Sequence, residues 1–212
     1  MKYKGIIFDL DGVICFTDKY HYQAWKSLAD EIGVYFDETI NNRLRGVSRM
    51  ASLDIILERS EKDYTPEEKE QMAARKNERY RTLLEQMSPA DLSAEVRETL
   101  DDLRAKGILL AIGSSSKNAK LILGRIGLGD YFDAISDGTN ITHSKPHPEV
   151  FLKGAQFLGL DPEDCLVVED ALAGIDAAVA GGFDGAGLGE AATHPKVTWA
   201  MKTFSDLKQI CE

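Results

Sequence analysis

The feature that most restricts the fold is an alternation of short, wholly apolar runs with longer segments of helical spacing. Gly5-Ile6-Ile7-Phe8 is the first run; Ile108 to Gly113, the weaker Ala134-Ile135, Leu166 to Glu169 and Gly185 to Leu188 follow. A run without polar alternation is what a strand covered on both faces looks like. Between the runs, Val96-Leu100-Leu103, Ala119-Ile122-Leu123-Ile126 and Val150-Phe151-Gly154-Ala155-Leu158 recur with a helical period. Strand, helix, strand in this order predicts right-handed crossovers, hence an α/β protein with a mostly parallel sheet and helices on both faces.

One stretch breaks the pattern. After the first strand the chain becomes charged and helical, with Tyr20, Ala24, Leu28 and Ile32 at intervals of four and Ala73, Tyr80, Leu84 and Met87 at sevens, fours and threes. Thr65-Pro66-Glu67-Glu68 reads as a helix start, with a capping hydroxyl, proline in the first turn and acids at the positive end. The reading is therefore an α/β core of residues 1–16 and 91–212, with residues 17–90 inserted as a helical cap.

Composition excludes several classes. The 212 residues carry a net charge of −10, with 43% hydrophobic and 28% charged residues, the balance of a folded globular protein. An acidic chain is poorly suited to nucleic acid or to anionic membrane surfaces. No segment reaches the roughly 20 apolar residues that span a bilayer, and Cys15, Cys165 and Cys211 offer neither a disulfide framework nor a metal-ligand spacing. A cytoplasmic monomer acting on a small molecule, with no nucleic-acid or membrane partner, is expected.

In an open parallel sheet, ligands bind beyond the carboxyl ends of the strands. There the sequence places Asp9 and Asp11 after the first strand, Ser114-Ser115-Ser116 after the second, Glu169-Asp170 after a later one, and Lys145-Pro146 before a helix. Singly, each suits a loop or a cap. Carboxylates gathered at one edge repel unless a cation joins them, and such hard oxygen donors suit Mg²⁺. His143, His147 and His194 show no metal spacing and receive no role.

Asp9-Leu10-Asp11-Gly12-Val13, Ser114, Lys145-Pro146-His147-Pro148 with Phe151, and Glu169-Asp170 with Ala173-Gly174-Ile175 together resemble the haloacid dehalogenase superfamily, in its motif order. The resemblance implies a Rossmann-like core and a phosphoryl-transfer branch. His21 with Ala24-Trp25, Arg45-Gly46-Val47-Ser48-Arg49, Arg75-Lys76-Asn77 and Ser116-Lys117-Asn118 resemble the phosphosugar mutases within it.

That resemblance implies Asp9 as nucleophile, Asp11 as general acid and base, Lys145 as the counter-cation and Ser114 as a phosphoryl-oxygen donor. It implies Mg²⁺ on Asp9, Glu169, Asp170 and the main-chain carbonyl of Asp11, although Glu169 could instead orient Lys145 in an ion pair. Arg49 is the implied clamp for a non-transferring phosphate, as a guanidinium can hold phosphate bidentately. Thr17, His21, Trp25, Arg45, Gly46, Val47, Ser48, Ser52, Lys76, Asn77, Ser115, Ser116 and Asn118 complete the implied substrate-binding set. The implied reaction interconverts β-D-glucose 1-phosphate and glucose 6-phosphate through an aspartyl phosphate and a glucose 1,6-bisphosphate intermediate. A Mg²⁺-dependent sugar-phosphate phosphatase is the alternative, and a binding protein that kept the fold is a third reading. Cys15-Phe16, Arg45 and Ser115 depart from the pattern of the mutases without removing a core group.

Overall fold

The structure is a computed structural model that describes residues 2–44 and 47–212. Six strands, β1 (Gly5–Phe8), β2 (Leu109–Gly113), β3 (Ala134–Ser136), β4 (Cys165–Glu169), β5 (Asp184–Gly187) and β6 (Trp199–Ala200), form one parallel sheet in the order β3-β2-β1-β4-β5-β6. The register pairs Gly5 with both Leu109 and Cys165, which makes β1 central. Because every strand runs the same way, every carboxyl end lies on one edge.

The chain divides into two compact units, residues 1–16 with 88–212 and residues 17–87. Ser88, Pro89 and Ala90, which the sequence reading grouped with the helical segment, thus fall in the sheet unit, where Ser88 and Asp91 close a capping box on a single 3₁₀ turn.

In the sheet unit, side chains of β1 alternate faces. Ile7 packs with Ala111, Val167 and residues of α7 (Glu149–Leu158) and α8 (Leu172–Ala180), including Phe151 and Ala178. Phe8 points the other way and meets the rings of Phe132 and Phe204.

The helical unit contains α1 (Asp18–Ile32), α2 (Glu38–Asn42), α3 (Arg49–Leu57) and α4 (Pro66–Leu84). Its own core joins Trp25, Leu28, Phe36, Leu53, Ile56, Met72 and Ala73. The start of α4 is a full capping box between Thr65 and Glu68 with Pro66 at the first position. The sheet unit also carries α5 (Ala94–Ala105), α6 (Ala119–Arg125) and the short α9 (Leu207–Ile210). Among the described residues, no helix is long and apolar enough to cross a membrane.

Candidate active site

The central strand delivers Asp9 directly to the carboxyl edge, where its N–H donates to the Val168 carbonyl at 2.9 Å and continues the ladder to β4. The chain then reverses at once, with Gly12 N–H donating to the Cys15 carbonyl at 2.7 Å and Ile14 N–H to the Leu10 carbonyl at 3.0 Å. Gly12 sits at φ 93, a left-handed conformation that favours glycine. A side chain there would also collide with the Asp170 carboxylate. Two independent constraints thus fix glycine beside the acids.

Lys145 is the buried cation of this edge. Its ammonium donates to Asp9 Oδ1 and, at 2.5 Å, to Glu169 Oε1, with all three residues buried. The other Glu169 oxygen accepts the N–H groups of Asp170 and Ala171 at 3.0 and 3.1 Å, so Glu169 is locked by the turn that follows β4. Glu169 thus orients Lys145 in an ion pair and also lies within the carboxylate cluster. Burial pushes the Asp9 carboxyl well above the usual range; Lys145 opposes this, while Glu169 and Asp170 add to it. Burial alone would lower Lys145, but Asp9 and Glu169 outweigh it and hold the ammonium above its ordinary value.

The donor set fits Mg²⁺. Carboxylate oxygens of Asp9, Glu169 and Asp170 lie within 4.8 Å of one another, and the Lys145 ammonium pairs with the first two. Three carboxylates gathered this closely are the hard oxygen donors that a divalent ion of this preference takes. Asp11 is half-buried on the same loop.

Ser114, at the end of β2, is buried and accepts the Ser116 N–H at 3.2 Å, while Ser116 Oγ accepts the Asn118 N–H at 3.1 Å. The hydroxyls thus shape the loop that leads into α6. Among the described residues the Ser115 hydroxyl is buried without a hydrogen-bond partner.

In the helical unit, a second polar cluster gathers Thr17, His21, Trp25, Lys76 and Tyr80. Lys76 lies between the rings of Trp25 and Tyr80, 4.5 and 4.6 Å from their centroids, and donates to His21 Nδ1 at 2.8 Å. Tyr80 stacks on His21 with centroids 4.0 Å apart and donates from its hydroxyl to Thr17 Oγ1 at 2.9 Å. Burial, then Lys76, then Arg49, hold His21 well below the usual histidine range. Arg49 opens α3, whose cap is the Ser48 hydroxyl accepting Ala51 N–H at 3.2 Å. Ser52 is buried one turn on, Val47 packs against the apolar core of the unit, and Asn77 is half-buried on α4. Arg45 and Gly46 lie outside the described residues.

Tyr80 was absent from the sequence-derived set. Its signal was Lys76 itself, a charge three residues after Ala73 and four before Tyr80 on an otherwise buried stripe.

These features define a class. The haloacid dehalogenase-like hydrolase family matches residues 3–182, and the chain belongs to it. Within it, the chain is 40% identical over 206 residues to the beta-phosphoglucomutase of Bacillus subtilis (strain 168), covering 96% of this chain and 91% of that one. A crystal structure of beta-phosphoglucomutase from Clostridium difficile superposes with a TM-score of 0.90 at 39% identity, covering 97% of this chain and 93% of the other. The chain is also 34% identical over 184 residues to a fructose-1-phosphate phosphatase of Escherichia coli (strain K12), covering 86% of this chain and 95% of that one. It is an enzyme of the phosphosugar-acting part of this family, with mutase and phosphatase relatives alike.

Proposed function

We propose that this protein interconverts β-D-glucose 1-phosphate and glucose 6-phosphate through an aspartyl phosphate on Asp9 and a glucose 1,6-bisphosphate intermediate. The observation that carries phosphoryl transfer is the buried Asp9–Lys145–Glu169 ion cluster at the carboxyl edge of the central strand. A carboxylate oxygen of Asp9 attacks phosphorus of the bisphosphate, a P–O bond to the sugar breaks, and Asp11 delivers the proton to the departing sugar oxygen. In the second half, a glucose 1-phosphate presents its 6-hydroxyl to the phosphoenzyme, Asp11 takes that proton, and the phosphoryl group passes from Asp9 to that oxygen, regenerating the bisphosphate. Lys145 supplies fixed positive charge beside the reacting carboxylate, and Ser114 with neighbouring N–H groups binds phosphoryl oxygens.

Asp9, Glu169, Asp170 and the Asp11 carbonyl would hold Mg²⁺. When bound, the ion supplies charge that keeps Asp9 ionised and offsets the negative phosphoryl oxygens.

The helical unit favours mutase over phosphatase. Arg49 occupies the first position of α3, where the helix dipole disfavours a cation, and the first turn of α3 has no acid to offset it. A phosphate dianion there would relieve that conflict and would meet Lys76 and Arg49, the two cations that lower His21. Thr17, Trp25, Val47, Ser48, Ser52, Asn77, Ser115, Ser116 and Asn118, with Arg45 and Gly46, are the remaining proposed contacts to the sugar phosphate. Similarity to the fructose-1-phosphate phosphatase of Escherichia coli (strain K12) supports the second reading, in which water attacks the phosphoenzyme.

The deciding assay supplies β-D-glucose 1-phosphate, Mg²⁺ and a trace of glucose 1,6-bisphosphate and follows glucose 6-phosphate and free phosphate together. Glucose 6-phosphate in large excess is the expected result; mainly free phosphate would establish the phosphatase.

A further inference from the structure

The segment that carries Lys145 also carries donors of a different kind. We propose that His143, His147 and Glu149 form a site for a borderline divalent transition ion of the zinc class, separate from the hard-oxygen cluster of Asp9, Glu169 and Asp170.

A nitrogen of each imidazole and a carboxylate oxygen of Glu149 lie within 4.8 Å of one another. The two rings face each other, with centroids 4.6 Å apart and planes 33° apart. The carboxylate is already fixed. Glu149 Oε2 accepts the His143 N–H at 2.7 Å, and both oxygens accept the Thr142 N–H at 3.0 Å. With the Lys153 ammonium 2.9 Å from Oε1, these contacts hold Glu149 ionised, its pKa down to about 2.

Both rings are also oriented by this residue. His143 Nδ1 lies 3.2 Å from Glu149 Oε2, and His147 Nδ1 accepts the Glu149 N–H at 3.2 Å. A metal ion would replace the proton that His143 shares with Oε2, and at His147 it would take the lone pair that now accepts this N–H. Small side-chain rotations suffice to close the set, because both histidines are exposed and Glu149 does not need to move.

Donor chemistry selects the ion. Two imidazoles and one carboxylate suit Zn²⁺, Co²⁺ or Ni²⁺, whereas Mg²⁺ prefers oxygen donors throughout. Exposure leaves room for water to complete the coordination. The position gives the site a consequence, since His143 and His147 each stand two residues from Lys145, so one ion would tie together both flanks of the catalytic lysine.

The test is titration of the intact protein with Co²⁺ in saturating Mg²⁺, reading the visible absorption of imidazole-ligated Co²⁺, followed by Zn²⁺ displacement against a chromophoric chelator. One equivalent should bind at micromolar concentration. His143→Ala and His147→Gln should each weaken it at least about tenfold, while Asp170→Asn should leave it in place. A circular dichroism melt verifies that each variant is folded. No saturable Co²⁺ absorption, equal binding by the two histidine variants and wild type, or loss of the signal in Asp170→Asn would each overturn the site.

Discussion

The ammonium of Lys76 donates to Nδ1 of His21 across 2.8 Å, joining residues 55 positions apart. An accepting Nδ1 leaves the ring proton on Nε2 and the imidazole neutral. The folded chain therefore refuses a proton that the unfolded chain takes up near pH ~6.5.

The sign of the pH effect follows. His21 is held low, so its contribution to stability is complete above the unfolded value of about 6.5 and is lost as pH falls toward the folded value, by at most ~1.4 kcal/mol per pH unit. Urea unfolding of wild type and His21→Gln at about pH 5.5 and about pH 7.5 measures it. Wild type should lose more stability on acidification than the variant; equal losses would show that His21 titrates normally.

Lys145 gives the opposite sign through its partner. Lys145→Met leaves Asp9 and Glu169 buried without their cation, a change that costs ~3–5 kcal/mol for a buried pair. Asp9 already has a raised pKa, so the stability it contributes is present at low pH and lost as pH rises through its folded value. Without Lys145 that value rises further. The variant should therefore lie closest to wild type in acid and fall furthest behind in mild base, and a deficit independent of pH would remove the electrostatic account.

Two helical glycines should respond oppositely to the same substitution. Neither Gly124 in α6 nor Gly174 in α8 has a positive φ, and glycine to alanine in a helix gains ~1 kcal/mol by propensity alone. A Cβ on Gly124 meets nothing within 4 Å, so Gly124→Ala should raise the unfolding midpoint. A Cβ on Gly174 would overlap the Glu169 carboxyl group, which the turn after β4 holds in place. Sterics win there: Gly174→Ala should cost ~1–3 kcal/mol and slow turnover by shifting the partner of Lys145. A stabilised, fully active Gly174→Ala would mean that Glu169 is free to move.

The buried strands were legible because a strand covered on both faces must be apolar throughout. The apolar run from Ile108 is longer than β2, because the Ile108 N–H donates to the Leu103 carbonyl at 3.2 Å to finish α5 after Gly107, and strand pairing begins with Leu109 N–H on the Lys4 carbonyl. Strand β6 left no trace in the sequence, being two exposed residues that pair with β5. The acids at the sheet edge were legible because a strand end projects its next residue to that edge. The approach of Lys76 to His21, or of His143 to His147 around a turn, was not, because no periodicity links such positions.

Substituting Arg49 tests recognition apart from chemistry. If its guanidinium holds the phosphate that is not transferred, Arg49→Ala removes a charge-assisted, two-pronged contact worth ~2–3 kcal/mol, or about 100-fold in kcat/KM for the phosphosugar. Hydrolysis of acetyl phosphate, which has no second phosphate, should stay within about threefold, because Asp9, Lys145 and Ser114 are untouched. Arg49→Lys should recover only part of the loss, since the charge returns without the planar fork. Removing a cation from the first position of α3 should not lower the unfolding midpoint, because the helix dipole opposes positive charge there. Parallel loss of both activities with unchanged stability would reassign Arg49 to the chemical step. Unchanged phosphosugar turnover would place the phosphate clamp elsewhere in the helical unit, with Lys76 the next residue to substitute.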